Sequence, residues 1–194
     1  MTNDRPPARG PFLDDALTQF SKYRALAEAA LAQMDDAAFF AAPGPDENSL
    51  ALLVKHVAGN QRSRWTDFLT TDGEKPDRQR DEEFERRPDD TRAALMARWD
   101  DGWRRLFAAL EPLTEADLPR SVTIRGEPHT VLQATARQLT HYAYHVGQIA
   151  ALARHHAGGR WKSLSVPRGQ SHAWEVGRDG RPSWQGSDPP ARPT

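Results

Sequence analysis

The stretch of sequence that decides the fold is residues 130–156, TVLQATARQLTHYAYHVGQIAALARHH. It predicts one long, mostly apolar helix that begins at His129 or Thr130 and ends near His156, because a glycine pair follows. The middle of this helix, residues 138–148, carries a band of polar side chains. A polar band that faces a core needs partners, so this helix predicts both a packed core and a polar centre within it.

Three further helical patterns precede this one. They cover residues 11–34, 48–70 and 88–110. The third presents an apolar stripe made of Leu95, Trp99, Trp103, Leu106 and Leu110. Aromatic stripes at helical spacing are usually core, and a pocket or a dimer face is the alternative for Trp65, Trp99, Trp103 and Trp161. Four helices, each about 30 to 40 Å long, predict an all-α fold of the four-helix-bundle type.

The connections between the helices differ from them in composition. Residues 72–90 hold nine acids and five bases in nineteen positions. This composition predicts a charged loop that forms no part of the core and caps one end of the bundle, with Arg78 and Arg80 paired to acids. Val122 and Ile124 alternate with polar residues before the fourth helix, which predicts a short extended turn or hairpin.

Length and composition limit the classes of function. The 194 residues suit one domain, which we place at residues 11–172 with an irregular C-terminal tail; residues 1–10 and 173–194 are expected to be flexible. A net charge of −1 provides no attractive field for nucleic acid or anionic lipid. No apolar run of about 18 residues and no signal peptide are visible, so we expect a cytoplasmic protein. Because there is no cysteine, disulfides, thiolate metal sites and a cysteine nucleophile are excluded, and any metal must be bound by His, Asp or Glu.

Three of the seven histidines have positions that suit a metal centre. His141 and His145 are four residues apart, so a helix presents both imidazoles on one face, within reach of one ion at about 2.0 to 2.1 Å. His56 lies midway along the second helix among apolar residues. The alternative is a core histidine with a single hydrogen bond, which is the more common role of a lone histidine on an apolar face. The other four histidines lie at helix ends or in the tail and have no ligand spacing: His129, His155, His156 and His172.

Several neighbouring side chains are candidates to orient a ligand ring or to face a substrate. Asn60 and Arg64 lie one and two turns after the histidine of the second helix. Gln138, Tyr142 and Gln148 lie within one turn of the histidine pair. The guanidinium of Arg64 suits a substrate carboxylate, and the alternative for this residue is a salt bridge to the acidic loop.

The chain resembles the DinB-like superfamily, whose bundles have one histidine on the second helix and a His-x-x-x-His pair on the fourth. Longer segments look like one uncharacterised bacterial branch: HVAGN at 56–60, SRWTDFLTTDGEKP at 63–76, HYAYHVGQI at 141–149 and LSVPRGQS at 164–171. The resemblance covers residues 12–172. After Ser171 we expect a Phe-Asn pair, whereas this chain has Trp174-Glu175, which leaves the role of the tail open.

The resemblance implies one divalent ion per chain, bound by His56, His141 and His145. Three imidazoles suit zinc, nickel, iron or copper, and we expect zinc or nickel first. The superfamily is similar to metal-dependent thiol transferases and to a mycothiol-dependent isomerase, and dimers are frequent in it. We therefore expect a metal-dependent transferase or hydrolase that activates a thiol or water, acts on a small molecule such as a low-molecular-weight thiol, and forms a homodimer. The alternatives are a non-catalytic metal-binding or stress-related bundle protein and a purely structural bundle.

Overall fold

The computed structural model describes residues 9–169. Most of the predicted flexible termini, residues 1–10 and 173–194, therefore lie outside the described part. In chain order the elements are α1 (Pro11–Leu31), α2 (Asp36–Phe40), α3 (Leu50–Trp65), α4 (Arg92–Leu110), β1 (Ser121–Ile124), β2 (Glu127–Thr130) and α5 (Val131–Ala157). Short 3-10 turns are found at Asp81–Phe84, Glu115–Asp117 and Gly158–Arg160. The described chain is mostly helical, as predicted, with a small two-stranded sheet.

The core lies where the apolar stripes of the long helices meet. α3 packs most extensively against α4, and α1 against α5. The stripe predicted on the third helix is confirmed as core, because all five of its side chains are fully buried: Leu95, Trp99, Trp103, Leu106 and Leu110. Each buried side chain of this size stabilises the fold by about 1.5 to 3 kcal/mol. Among the described residues, no helix combines the length and the apolar character needed to pass through a bilayer.

Side-chain caps determine where the helices begin. The hydroxyls of Ser49, Thr91 and Thr130 each accept a hydrogen bond from the backbone N–H three residues later, at the starts of α3, α4 and α5. At α5, Gln133 Oε1 also accepts from the backbone N–H of Thr130, which completes a capping box. α1 begins at Pro11, whose fixed φ and missing N–H suit a first helical position.

Three helix boundaries and one short helix differ from the sequence-based expectation. α4 begins at Arg92, four residues after its predicted start at residue 88, because Thr91 is its N-cap. α3 ends at Trp65 and does not run on toward Thr70, because Asp67 adopts a left-handed φ of 48° and the chain turns there. α1 ends at Leu31, three residues before its predicted end. The short helix α2 was missed; Asp35 is its N-cap. Five residues are too few to show a helical period in the sequence.

The predicted extended turn is a hairpin. β1 and β2 pair antiparallel, with Ile124 opposite Glu127. Val122 and Ile124 are buried while the residues between and before them are exposed. The two turn residues, Arg125 and Gly126, both have positive φ, which matches the strand twist that two-residue hairpins favour. Because β2 leads directly into α5, the hairpin fixes the position at which the long helix starts.

Residues 72–90 add no side chain to the hydrophobic core, as expected, but two of their acids are buried, which the composition did not predict. Glu83 and Asp90 are 6% and 4% exposed. Asp90 Oδ2 accepts a hydrogen bond from Lys55 Nζ at 2.6 Å, and Lys55 is also buried. A carboxylate is stable in the interior only when it is paired, and these pairs form between residues far apart in the chain. The sequence pattern therefore gave no sign of them.

Candidate metal centre

Two helices bring the three predicted histidines together. His56 projects from α3, and His141 and His145 lie one turn apart on α5. One ring nitrogen of each histidine lies within 4.8 Å of the other two. His56 and His145 are buried, and His141 is half-buried. Three imidazoles therefore converge on one small volume.

The hydrogen-bond partners of two rings determine which nitrogen carries the proton. His56 Nδ1 lies 2.9 Å from Glu83 Oε2, and His145 Nδ1 lies 2.8 Å from Gln148 Oε1. Both oxygens can only accept, so each Nδ1 donates. Gln148 Nε2 at the same time donates to Tyr144 Oη at 3.2 Å, which orients the amide. In the neutral rings, Nε2 therefore carries the lone pair and is the nitrogen available to a metal.

Burial keeps the histidine pair of α5 neutral at pH 7. It lowers the pKa of His141 to about 3, and the repulsion of a protonated ring by the guanidinium groups of Arg78 and Arg64 acts in the same direction. Burial also lowers the pKa of His145 to about 4, and the hydrogen bond to Gln148 only partly opposes this change. Neutral imidazole is the form that binds metals, so no proton has to leave at neutral pH.

The donor set fits a divalent metal ion. Tetrahedral zinc with Zn–N distances of about 2.0 to 2.1 Å places its ligand nitrogens about 3.3 to 3.4 Å apart. His141 Nε2 and His145 Nε2 are 3.1 Å apart, close to that value. Two lone pairs at this distance repel each other unless one ring turns an N–H inward or a cation lies between them. Three protein nitrogens also leave at least one coordination position for another ligand.

Glu83 is a residue of this site that the sequence analysis missed. It lies in the 3-10 turn Asp81–Phe84 of the charged loop. Burial alone would raise the pKa of its carboxyl group, but hydrogen bonds from His56 and Arg78 and the charge of Arg78 hold that pKa below its ordinary value. The ring of Phe84 packs against the ring of His56, with 4.7 Å between the ring centroids. No spacing rule distinguishes Glu83 from the eight other acids of its loop.

Asn60 and Tyr142 lie beside the cluster in a buried network. Trp65 Nε1 donates to Tyr142 Oη at 3.0 Å, and this hydroxyl donates to Asn60 Oδ1 at 3.0 Å. Asn60 follows His56 by one turn on α3, and Tyr142 lies between His141 and His145 on α5. The network joins the two helices that carry the histidines. Neither Asn60 nor Tyr142 hydrogen-bonds a histidine ring, whereas Gln148 does.

Arg64 and Gln138 are buried polar side chains beyond this network. Arg64 is 3% exposed, and its Nη2 lies 3.9 Å from Glu74 Oε2 of the charged loop. Among residues 9–169, Arg64 Nε, Arg64 Nη1 and Gln138 Oε1 have no hydrogen-bond partner. Each of these atoms exposes less than 1 Å². A substrate carboxylate would therefore reach these two nitrogens of Arg64 only after the surrounding chain moves.

The other described histidines lie away from the cluster. His129 is on β2, and its Nδ1 bonds to the carbonyl of Glu127; His155 and His156 are in the last turn of α5. A groove of about 570 Å³ between α3, α4 and the charged loop borders Glu83, but none of the three clustered histidines lines it.

Residues 8–170 match the model of a family described as a protein of unknown function, DUF1572. The chain belongs to the DUF1572 family. No curated protein and no solved structure matches the chain. The description of the DUF1572 family assigns no activity, so the chemistry has to be argued from the three histidines and their surroundings.

Proposed function

We propose that this DUF1572 protein is a DinB-like four-helix bundle that binds one divalent metal ion through His56, His141 and His145. The observation that carries the proposal is the convergence of one nitrogen from each ring within 4.8 Å. The neutral state of the α5 pair and the outward hydrogen bonds of His56 and His145 support it, since both leave lone pairs directed inward. Zinc or nickel is the proposed ion, and iron is the next candidate.

We further propose that the centre is catalytic, as a metal-dependent transferase or hydrolase. A divalent ion bound by these three neutral imidazoles would act as a Lewis acid and would activate a thiol or a water molecule. Because the chain has no cysteine, a thiol nucleophile has to arrive with the substrate, which is expected to be a small molecule. The chain itself holds and orients the three rings. The homodimer and the cytoplasmic location remain predictions that rest on the resemblance and the composition.

A metal-binding protein without turnover is the second candidate. The burial of His56 and His145 favours it, because buried ligands restrict the access of a substrate to the ion. Both candidates predict the same metal content. They differ in turnover, which a screen with thiol-transfer and ester substrates would detect in the metal-loaded protein and not in the metal-free protein.

The metal assignment is tested by elemental analysis of protein purified without a polyhistidine tag. We expect about one zinc or nickel per chain after loading and desalting. His141→Ala should lose the metal, because two imidazoles hold a divalent ion weakly. His155→Ala, an exposed histidine on the same helix, is the matched control and should retain it. Equal metal content in wild type and His141→Ala would refute the assignment.

A further inference from the structure

We infer that Glu83 is a positioning residue of the metal centre, which holds His56 with its Nε2 lone pair turned toward the other two histidines. This inference rests on the proposed metal binding and adds a residue from the charged loop to the site. The charged loop would then help to orient one of the three metal ligands.

The first step is the contact with His56. Glu83 Oε2 accepts from Nδ1 of His56 at 2.9 Å, and both side chains are buried. Histidines that bind metals usually donate their second N–H to a carboxylate or a carbonyl, which fixes the ring orientation and makes the ligand nitrogen more basic. Without this acceptor, the His56 ring could rotate or carry its proton on Nε2, and it would then be unable to bind the ion.

The second step is the way in which Glu83 itself is held. Arg78 Nε donates to Glu83 Oε1 and Arg78 Nη2 donates to Glu83 Oε2, both at 2.8 Å. Arg78 Nη1 in turn donates to both carboxylate oxygens of Glu74. A fork of two parallel hydrogen bonds fixes the plane of a carboxylate, and a second acid behind the guanidinium fixes the fork. The orientation of Glu83 is therefore determined by the loop.

The third step is the space that α3 leaves for the carboxylate. Gly59 is one turn after His56, and its surface is covered by Glu83. A Cβ atom at position 59 would lie 2.7 Å from Glu83 Cδ and closer still to Oε1, a separation at which the carboxylate would have to shift. A glycine in the interior of a helix lowers the stability of that helix by about 1 kcal/mol relative to alanine. At position 59 this cost accompanies the space that the carboxylate of Glu83 occupies.

A purely structural role is the competing explanation. Glu83 and Arg78 would then form a buried ion pair that closes the loop against α3, and His56 would be a bystander. The two explanations differ in one respect. If Glu83 positions His56, loss of its carboxylate changes the affinity of the protein for the metal and the position of the proton on His56. If Glu83 only forms a structural ion pair, the same loss changes only the stability of the fold.

The test measures zinc affinity by competition with a chromophoric chelator, using the full chain stripped of metal. Glu83→Gln removes the charge and keeps the size of the side chain. We expect it to bind zinc about 10- to 100-fold more weakly than wild type. Glu82→Gln, on the same 3-10 turn and paired with Arg87, is the matched control and should stay within about twofold of wild type.

Gly59→Ala is the second variant and keeps the test valid if Glu83→Gln does not fold. It retains every charge and improves helix propensity, but it displaces the carboxylate from His56. We expect weaker zinc binding again, and proton–nitrogen NMR of the metal-free protein should show that His56 loses its preference for the Nδ1–H form. Wild-type affinity in both variants would overturn the inference and leave the metal assignment intact. A wild type that binds no zinc would overturn the metal assignment itself, and the inference with it.

Discussion

Gly102 and Gly147 are both interior glycines of long helices, but their surroundings differ. A Cβ atom at Gly102 of α4 would lie 2.9 Å from Cβ of the fully buried Gln61 on α3, whereas a Cβ atom at Gly147 of α5 would have no neighbour within 4 Å. Gly102→Ala should therefore lower the free energy of unfolding by about 1 to 3 kcal/mol, because the α3–α4 contact has to open. Gly147→Ala should raise it by about 0.5 to 1 kcal/mol through helix propensity alone.

Urea denaturation of the two alanine variants measures both effects. A stabilising Gly102→Ala would show that α3 and α4 do not approach as closely as described. The comparison isolates packing, because the same change in sequence is made in the same type of element and only the neighbour differs.

At the level of elements, Asp72 joins the charged loop to the hairpin. Its carboxylate accepts from the backbone N–H groups of Glu74, Arg125 and Gly126, at 2.7, 2.8 and 2.8 Å. In Asp72→Asn only one oxygen remains, so at least one of these N–H groups loses its acceptor. We expect a loss of about 1 to 3 kcal/mol in the free energy of unfolding. Asp77 forms an exposed ion pair with Arg62, so Asp77→Asn is the control and should leave the free energy of unfolding nearly unchanged.

The contribution of Asp72 should also depend on pH. Burial would raise the pKa of its carboxyl group, but the three backbone hydrogen bonds and the charge of Arg64 lower it below the ordinary value. The unfolded chain keeps the ordinary, higher pKa, so the stabilisation is complete above about pH 4 and is lost as the pH falls through the folded value. The stability difference between wild type and Asp72→Asn should be constant from about pH 7 to pH 5 and shrink below about pH 4. A difference that grows on acidification would contradict this account.

At the scale of the whole molecule, metal binding should stabilise the fold. The three ligands come from α3 and α5, which are far apart in the chain, so the unfolded chain does not present them together. An ion at about 100 times its dissociation constant then adds about 2.7 kcal/mol, which corresponds to roughly 5 to 10 °C in melting temperature for a chain of this size. Thermal melting with zinc, compared with melting in a chelator, measures the shift.

The same melting experiment on His141→Ala is the control. We expect no shift in that variant, because the remaining histidines of the cluster bind the ion weakly. A wild-type shift that persists in His141→Ala would place the stabilising ion elsewhere in the molecule.

Much of the fold was predictable, because helices and caps are local. The buried stripe of α4 follows from the spacing of its leucines and tryptophans, and Ser49 and Thr130 are recognisable N-caps for α3 and α5. The end of α3 was not predictable in the same way. It depends on the left-handed backbone conformation of Asp67 and on the turns that follow. A periodic pattern of apolar residues does not indicate either feature.

In the candidate site, the histidines and Gln148, which hydrogen-bonds His145, follow from helical spacing, whereas Glu83 does not. His141 and His145 are paired by the helical repeat, which is a property of the sequence. Glu83 hydrogen-bonds His56, which lies 27 residues earlier in the chain. Which of the nine acids of the loop makes this contact depends on where the 3-10 turn packs against α3. Asn60 and Tyr142 lie beside the cluster, but their hydrogen bonds to each other and to Trp65 form only when α3 packs against α5.

The sequence by itself determined the long helices, the hairpin and the three histidines, because each follows from spacing along one segment. Only the tertiary structure decided that Glu83 is buried, that Gly59 leaves space for its carboxylate and that α3 packs against α5 at the histidines. The physical reason is that burying a charge depends on a partner at hydrogen-bond distance, and that partner is supplied by the packing of distant segments.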